Sequence, residues 1–210
     1  LSTEQVIEIG KKLTYYSPFI VPFSYSSPFY GGNLWHGLSV RTYVRTGPRP
    51  AVMVFIDEPE KLIGGNPSLT KKARIPAEVG RIEFKAFDSC GDFAIYSALF
   101  ALLKGLALDQ SLAGRAVVPD GALHRLSAQE GFANDHIVSG AREVLHAARI
   151  VLQEDSDGEL LAPIIDLLAQ RKTPAHRLIK EFKDLSSIEE TLRRTYTDYL
   201  PQGDYLGKKV

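Results

Sequence analysis

The chain has 210 residues and a mass of 23.2 kDa, enough for one large domain or two small ones with a buried core. Hydrophobic residues make up 44% and charged residues 24%, which excludes a mainly disordered chain, and a single cysteine excludes a disulfide scaffold. Lys+Arg and Asp+Glu balance at 25 each, so no net field favours nucleic acid or an anionic membrane as a partner. The best apolar run, Ala94 to Leu108, is 15 residues with Lys104 inside it, short of the ~20 a membrane span needs. No signal peptide is visible, so a cytoplasmic protein is expected.

The chain opens on a helix. Ser2-Thr3-Glu4-Gln5 has capping-box spacing, and Val6, Ile9 and Leu13 follow at helical intervals. Pro18 and Pro22 are expected to kink or stop that helix. Residues 24–37, rich in Ser, Pro, Gly and aromatics, read as a loop with turns. Three strands are then expected. In 38–45, Leu38, Val40, Thr42 and Val44 alternate with Ser39, Arg41, Tyr43 and Arg45. Residues 51–56 are continuously apolar, as in a strand buried on both faces. In 80–87, Ile82, Phe84 and Ala86 alternate with Arg81, Glu83 and Lys85. Between the last two strands, 57–79 reads as a long polar loop, too polar for core.

Beyond Asp88 only helices are expected. Phe93–Leu108 is apolar nearly all round. Asn134 or Asp135 caps a helix to about Gln153, Ser156 or Asp157 starts another with Pro163 near its beginning, and Thr173-Pro174 begins the next. Ser187 begins a last one, stopped by Pro201 near Tyr199. Strands first and helices later predict an α+β fold with an antiparallel sheet, a single domain over 1–210 whose sheet lies in 1–90 and whose helical part is 91–210.

The chemistry concentrates on two of these strands. Arg81, Glu83 and Lys85 would share one face at steps of about 7 Å. One carboxylate between two cations suits a magnesium–phosphate site, and equally a solvated face with cross-strand ion pairs. Arg41 and Arg45 on one face suit a phosphate or carboxylate clamp, or an exposed sheet face. His124, His136, His146 and His176 lack metal spacing and are expected on the surface, and Cys90 is expected to be buried. There is no P-loop and no GxGxxG.

Arg81-Ile82-Glu83-Phe84-Lys85-Ala86-Phe87-Asp88-Ser89, followed by an apolar helix, resembles the late strand and helix of the glutamate–cysteine ligase and carboxylate–amine ligase family, a glutamine-synthetase-like group. Tyr25-Ser26-Ser27-Pro28-Phe29-Tyr30-Gly31-Gly32 and Ser39-Val40-Arg41-Thr42-Tyr43 resemble the family's Ser-Pro-Phe loop and the arginine strand after it. The resemblance covers about residues 10–115. It implies an enzyme that uses ATP and magnesium to join the γ-carboxylate of glutamate to an amine such as that of cysteine, through an acyl phosphate. It implies Glu83 as a metal ligand, Lys85 and Arg41 as catalytic cations, and Arg45 and Arg81 as nucleotide-binding residues. Two features depart from the pattern. Lys85 stands where the family has arginine, and nothing in residues 1–40 matches the family's earlier half with its further metal-binding glutamates. With Leu1 rather than Met at its start, the chain is expected to be a C-terminal half whose sheet edge meets the missing part. Homo-oligomerisation and a non-catalytic interaction domain stay open beside this reading.

Overall fold

The computed structural model describes residues 1–45 and 48–197, with side chains to Thr195. The expectations for Tyr199 and Pro201 fall outside these residues. The fold is α+β, with a two-stranded and a three-stranded sheet against a larger helical body.

Helix α1, Thr3–Ile20, begins at the expected capping box: Ser2 Oγ accepts from Gln5 N at 3.3 Å and Gln5 Oε1 accepts from Ser2 N at 2.7 Å. It runs through Pro18 and stops at Ile20, in a 3-10 turn, Val21–Ser24, that holds Pro22. Pro18 has no N–H for the carbonyl of Thr14, but the Ser17 hydroxyl donates to that oxygen at 2.7 Å and keeps it satisfied. The loop after α1 holds a short hairpin, β1 Phe29–Tyr30 and β2 Asn33–Leu34, turned by Gly31 and Gly32 at φ 56° and 81°.

The expected strand 38–45 is instead a helix, α2 Val40–Arg45. Ser39 is fully buried and starts it, its Oγ accepting from Thr42 N at 3.0 Å and its carbonyl from Tyr43 N at 3.1 Å. The alternation that suggests a strand is not a buried face: Thr42 is buried, whereas Val44 is 62% exposed.

The apolar run forms β3, Val52–Ile56, the centre of the three-stranded sheet and nearly all buried. One neighbour is β5, Ile82–Phe84, antiparallel with Met53 opposite Glu83. The other is β4, Thr70–Lys72, which pairs parallel with β3. The sheet is therefore mixed, not antiparallel. The segment 57–79 corrects the expectation of a wholly polar loop: it delivers β4, and its Leu69 is fully buried in the core.

The helical body follows the expected order: α3 Phe93–Leu108, α5 Asp135–Val151 capped by Asn134, α6 Ala162–Ala169 after a 3-10 turn at Ser156–Leu161, α7 Pro174–Leu185, and α8 Ile188–Thr197. A further helix, α4 Gly121–Glu130, is capped by Asp120. α3 and α5 pack closely because Gly105 faces Ala148; a Cβ at Gly105 would lie 2.7 Å from the Ala148 Cβ. α1, β3, α3 and α5 share one hydrophobic core.

Candidate functional site: a charged edge strand and an arginine pocket

β5 ends the sheet order β4-β3-β5, so among the described residues its outer edge pairs with no strand. Its inner edge is fixed by Lys85 N to Ala51 O at 2.7 Å and Phe55 N to Arg81 O at 2.9 Å. Ile82 and Phe84 pack toward the core, and the charged row takes the other face, as the alternation predicts. Glu83 is held between its neighbours: Arg81 Nη2 lies 3.0 Å from Oε1, and the Lys85 ammonium meets Oε2. Those contacts, Lys85 first, hold the carboxyl below its usual range. Arg81 also reaches Glu78 Oε1 at 3.1 Å and stacks over the Phe55 ring at 4.2 Å. Glu78 accepts from Arg74 as well. The face is thus a network of two carboxylates and three cations, and Glu78 and Arg74 belong to it although no strand pattern marks them.

Helix α2 presents the second cluster. Arg41 Nη1 donates to Ala86 O at 3.0 Å and Nη2 to Lys85 O at 3.1 Å, and Nη1 lies 3.8 Å from Asp88 Oδ1. Arg41 and Lys85 are therefore brought together, but through the backbone of residue 85. One helical turn on, Arg45 lies on the same side as Arg41 for a helical reason, not a strand one. A pocket of about 410 Å³ is lined by Arg41, Val44, Arg45, Pro48 and Arg49. The side chains of Arg45 and Arg49 make no hydrogen bond or ion pair with the described residues. Burial, then the charges of Arg41 and Arg49, bring the Arg45 guanidinium down to about 10. It stays cationic at neutral pH, crowded by like charges and with no anion beside it. Arg49 is the member that strand reasoning misses; it lies beyond the end of α2, and no spacing in the sequence marks it.

Between the clusters sits Asp88, 2% exposed. Its carboxylate accepts from Ser26 N at 3.0 Å, Ser27 Oγ at 2.7 Å and Ser39 Oγ at 3.1 Å, and its own N–H donates to Ser24 Oγ at 3.1 Å. Burial pushes its acid upward against these bonds. Asp88 thereby ties the loop of residues 24–27, the start of α2 and the end of the β5 segment to one another.

No family model, curated protein or solved structure matches this chain.

Among the described residues no three His, Cys, Asp or Glu side chains gather where they could hold a metal ion. Glu83 alone offers one hard-oxygen ligand, already engaged by two cations. Cys90 is buried as expected, and burial raises its thiol. His36, His136 and His146 are exposed. His124 is not on the surface as expected: it is 1% exposed within α4, with Nε2 2.7 Å from Ser17 Oγ. His176 is half-buried and serves the α7 cap, accepting from Thr173 N at 3.0 Å. No described helix is long and apolar enough to cross a membrane.

Proposed function

We propose that this chain is the C-terminal half of an ATP-dependent carboxylate–amine ligase of the glutamine-synthetase-like type, joining the γ-carboxylate of glutamate to an amine such as that of cysteine in the cytoplasm. The observation that carries the reading is the pocket lined by Arg41, Arg45 and Arg49. Arg41 faces Asp88, but Arg45 and Arg49 have no counter-ion among the described residues; cations crowded in this way cost electrostatic energy that a polyanion removes, and guanidinium forks match phosphate and carboxylate oxygens. Two further observations support it. The loop and strand segments that carry the resemblance meet at Asp88, across 62 and 61 residues of chain from Ser26 and Ser27. The charged row stands on an edge strand with an open side, where a preceding half-sheet would add its strands.

In this reading the γ-phosphoryl group of ATP passes to the carboxylate, giving an acyl phosphate and ADP; the amine then attacks the acyl carbon and phosphate leaves. Such transfer is mainly positioning and charge neutralisation. Arg45 and Arg49 hold phosphate oxygens, Arg41 fixes α2 against the end of β5, and Lys85 and Arg81 orient Glu83. Magnesium would arrive with ATP. The residues present do not make a magnesium site by themselves, and no step here runs through the metal.

The test is ADP release by a protein that joins this chain to the preceding half, supplied with ATP, magnesium, glutamate and cysteine. Glu83→Ala should lower kcat/KM about 100-fold; unchanged release removes Glu83 from the site. A second reading, a non-catalytic interaction domain, is favoured by the intramolecular partners that already occupy Arg41 and Glu83. It requires that no ATP binds the longer protein at all.

A further inference from the structure

A cavity of about 590 Å³ opens where the turn before α3 meets α7 and α8. It shares no residue with the arginine pocket or the charged row of β5. The volume lies in the range of small-molecule sites. Thr195 lines it, is 5% exposed, and its buried Oγ1 has no hydrogen-bond partner among the described residues. Glu181 lines it too, and its buried Oε2 accepts no hydrogen bond; Arg194 Nη1 stands 3.5 Å from that oxygen. Glu181 Oε2 thus has an ion-pair partner but no hydrogen bond, and Thr195 Oγ1 has neither among the described residues; buried oxygens without a donor are costly unless a ligand supplies one. The rim carries the ammonium groups of Lys172 and Lys180, neither of which makes a hydrogen bond or ion pair with the described residues. Ile95 and Leu167 supply apolar wall between the two kinds of charge.

We propose that this cavity binds a zwitterionic amino compound, a free amino acid or a short peptide with an apolar side chain. The ligand's ammonium donates to Glu181 Oε2 and Thr195 Oγ1, its carboxylate meets Lys172 or Lys180, and its side chain covers Ile95 and Leu167. An anion alone would leave Thr195 Oγ1 and Glu181 Oε2 without a hydrogen-bond donor, and a cation alone would leave the lysines unpaired. The assignment needs neither ATP nor the ligase reading.

The test is calorimetric titration of the whole chain with L-leucine and with glycyl-L-leucine, alongside 4-methylpentanoate, which lacks the ammonium, and 3-methylbutylamine, which lacks the carboxylate. At least one zwitterion should bind about tenfold tighter than either singly charged analogue. Tighter binding of the dipeptide identifies a peptide site, and equal or tighter binding of leucine a free amino acid site. Glu181→Gln should weaken the bound zwitterion about tenfold with an unchanged urea midpoint; if that variant does not fold, Lys172→Ala makes the same test from the other end. Cys90, the one cysteine of the chain, lines the cavity at 5% exposure and reports location. Its alkylation by iodoacetamide should slow in proportion to occupancy. No zwitterion binding, equal binding of the singly charged analogues, or binding that leaves Cys90 alkylation unchanged overturns the proposal.

Discussion

Replacing His124 by glutamine should flatten the acid side of the stability profile. The Ser17 hydroxyl spends its proton on the Thr14 carbonyl, so His124 Nε2 must donate to Ser17 Oγ, and the neutral Nε2–H tautomer results. Nδ1 is then a buried lone pair without a partner. A second proton would have to enter there, in a site closed to water. Burial accordingly brings the imidazole down from 6.5 to about 4; Arg45 adds to the drop and Asp120 opposes it. In the unfolded chain the ring takes its proton near 6.5, in the folded chain only near 4. The unfolded state therefore gains protons first as pH falls, and stability present above pH 6.5 is lost progressively toward pH 4. At 1.36 kcal/mol per unit the loss reaches about 3 kcal/mol. Glutamine keeps a donor for Ser17 and cannot titrate. Urea unfolding of both proteins from pH 7.5 to pH 4 measures the difference directly, since all other groups cancel. Curves that run parallel over this range would refute the reasoning.

Three further outcomes follow from the geometry. Asp88→Ala strips the partner from three donors and from Arg41, and should cost about 3 kcal/mol or more by urea denaturation, with Asp88→Asn milder. Gly105→Ala forces a methyl against Ala148 across the α3–α5 contact, and a loss of about 2 kcal/mol is expected; an unchanged midpoint would mean the helices are not so close. Arg45→Ala and Arg49→Ala should each weaken inorganic pyrophosphate binding about tenfold and reduce its salt dependence, read by titration calorimetry. A wild-type chain that binds no pyrophosphate would leave the arginine pocket without its assigned ligand.

Local signals in the sequence sufficed wherever a short stretch carried its own physical constraint. The Ser2–Gln5 box, Asn134 and the Thr173-Pro174 pair mark helix starts because each satisfies orphan amides with its own side chain or spares one by lacking it. The apolar run 51–56 forms the buried strand that it suggests, and the row of Arg81, Glu83 and Lys85 keeps the face its alternation assigns. Tertiary structure decided the rest. Residues 38–45 fit a strand and a helix almost equally over so short a span. What selects the helix is distant: Leu38 N and Ser39 N bond to Ala128 O, Ser39 Oγ bonds Asp88, and Arg41 docks on the carbonyls of residues 85 and 86. β4 is illegible because an edge strand needs no apolar alternation; it is recruited by Val54 N bonding to Leu69 O. The buried state of His124 likewise depends on Ser17, 107 residues away. Capping and periodicity act within a turn or two of chain, whereas register, partner choice and the burial of a polar group are set by contacts between segments that meet only in the folded molecule.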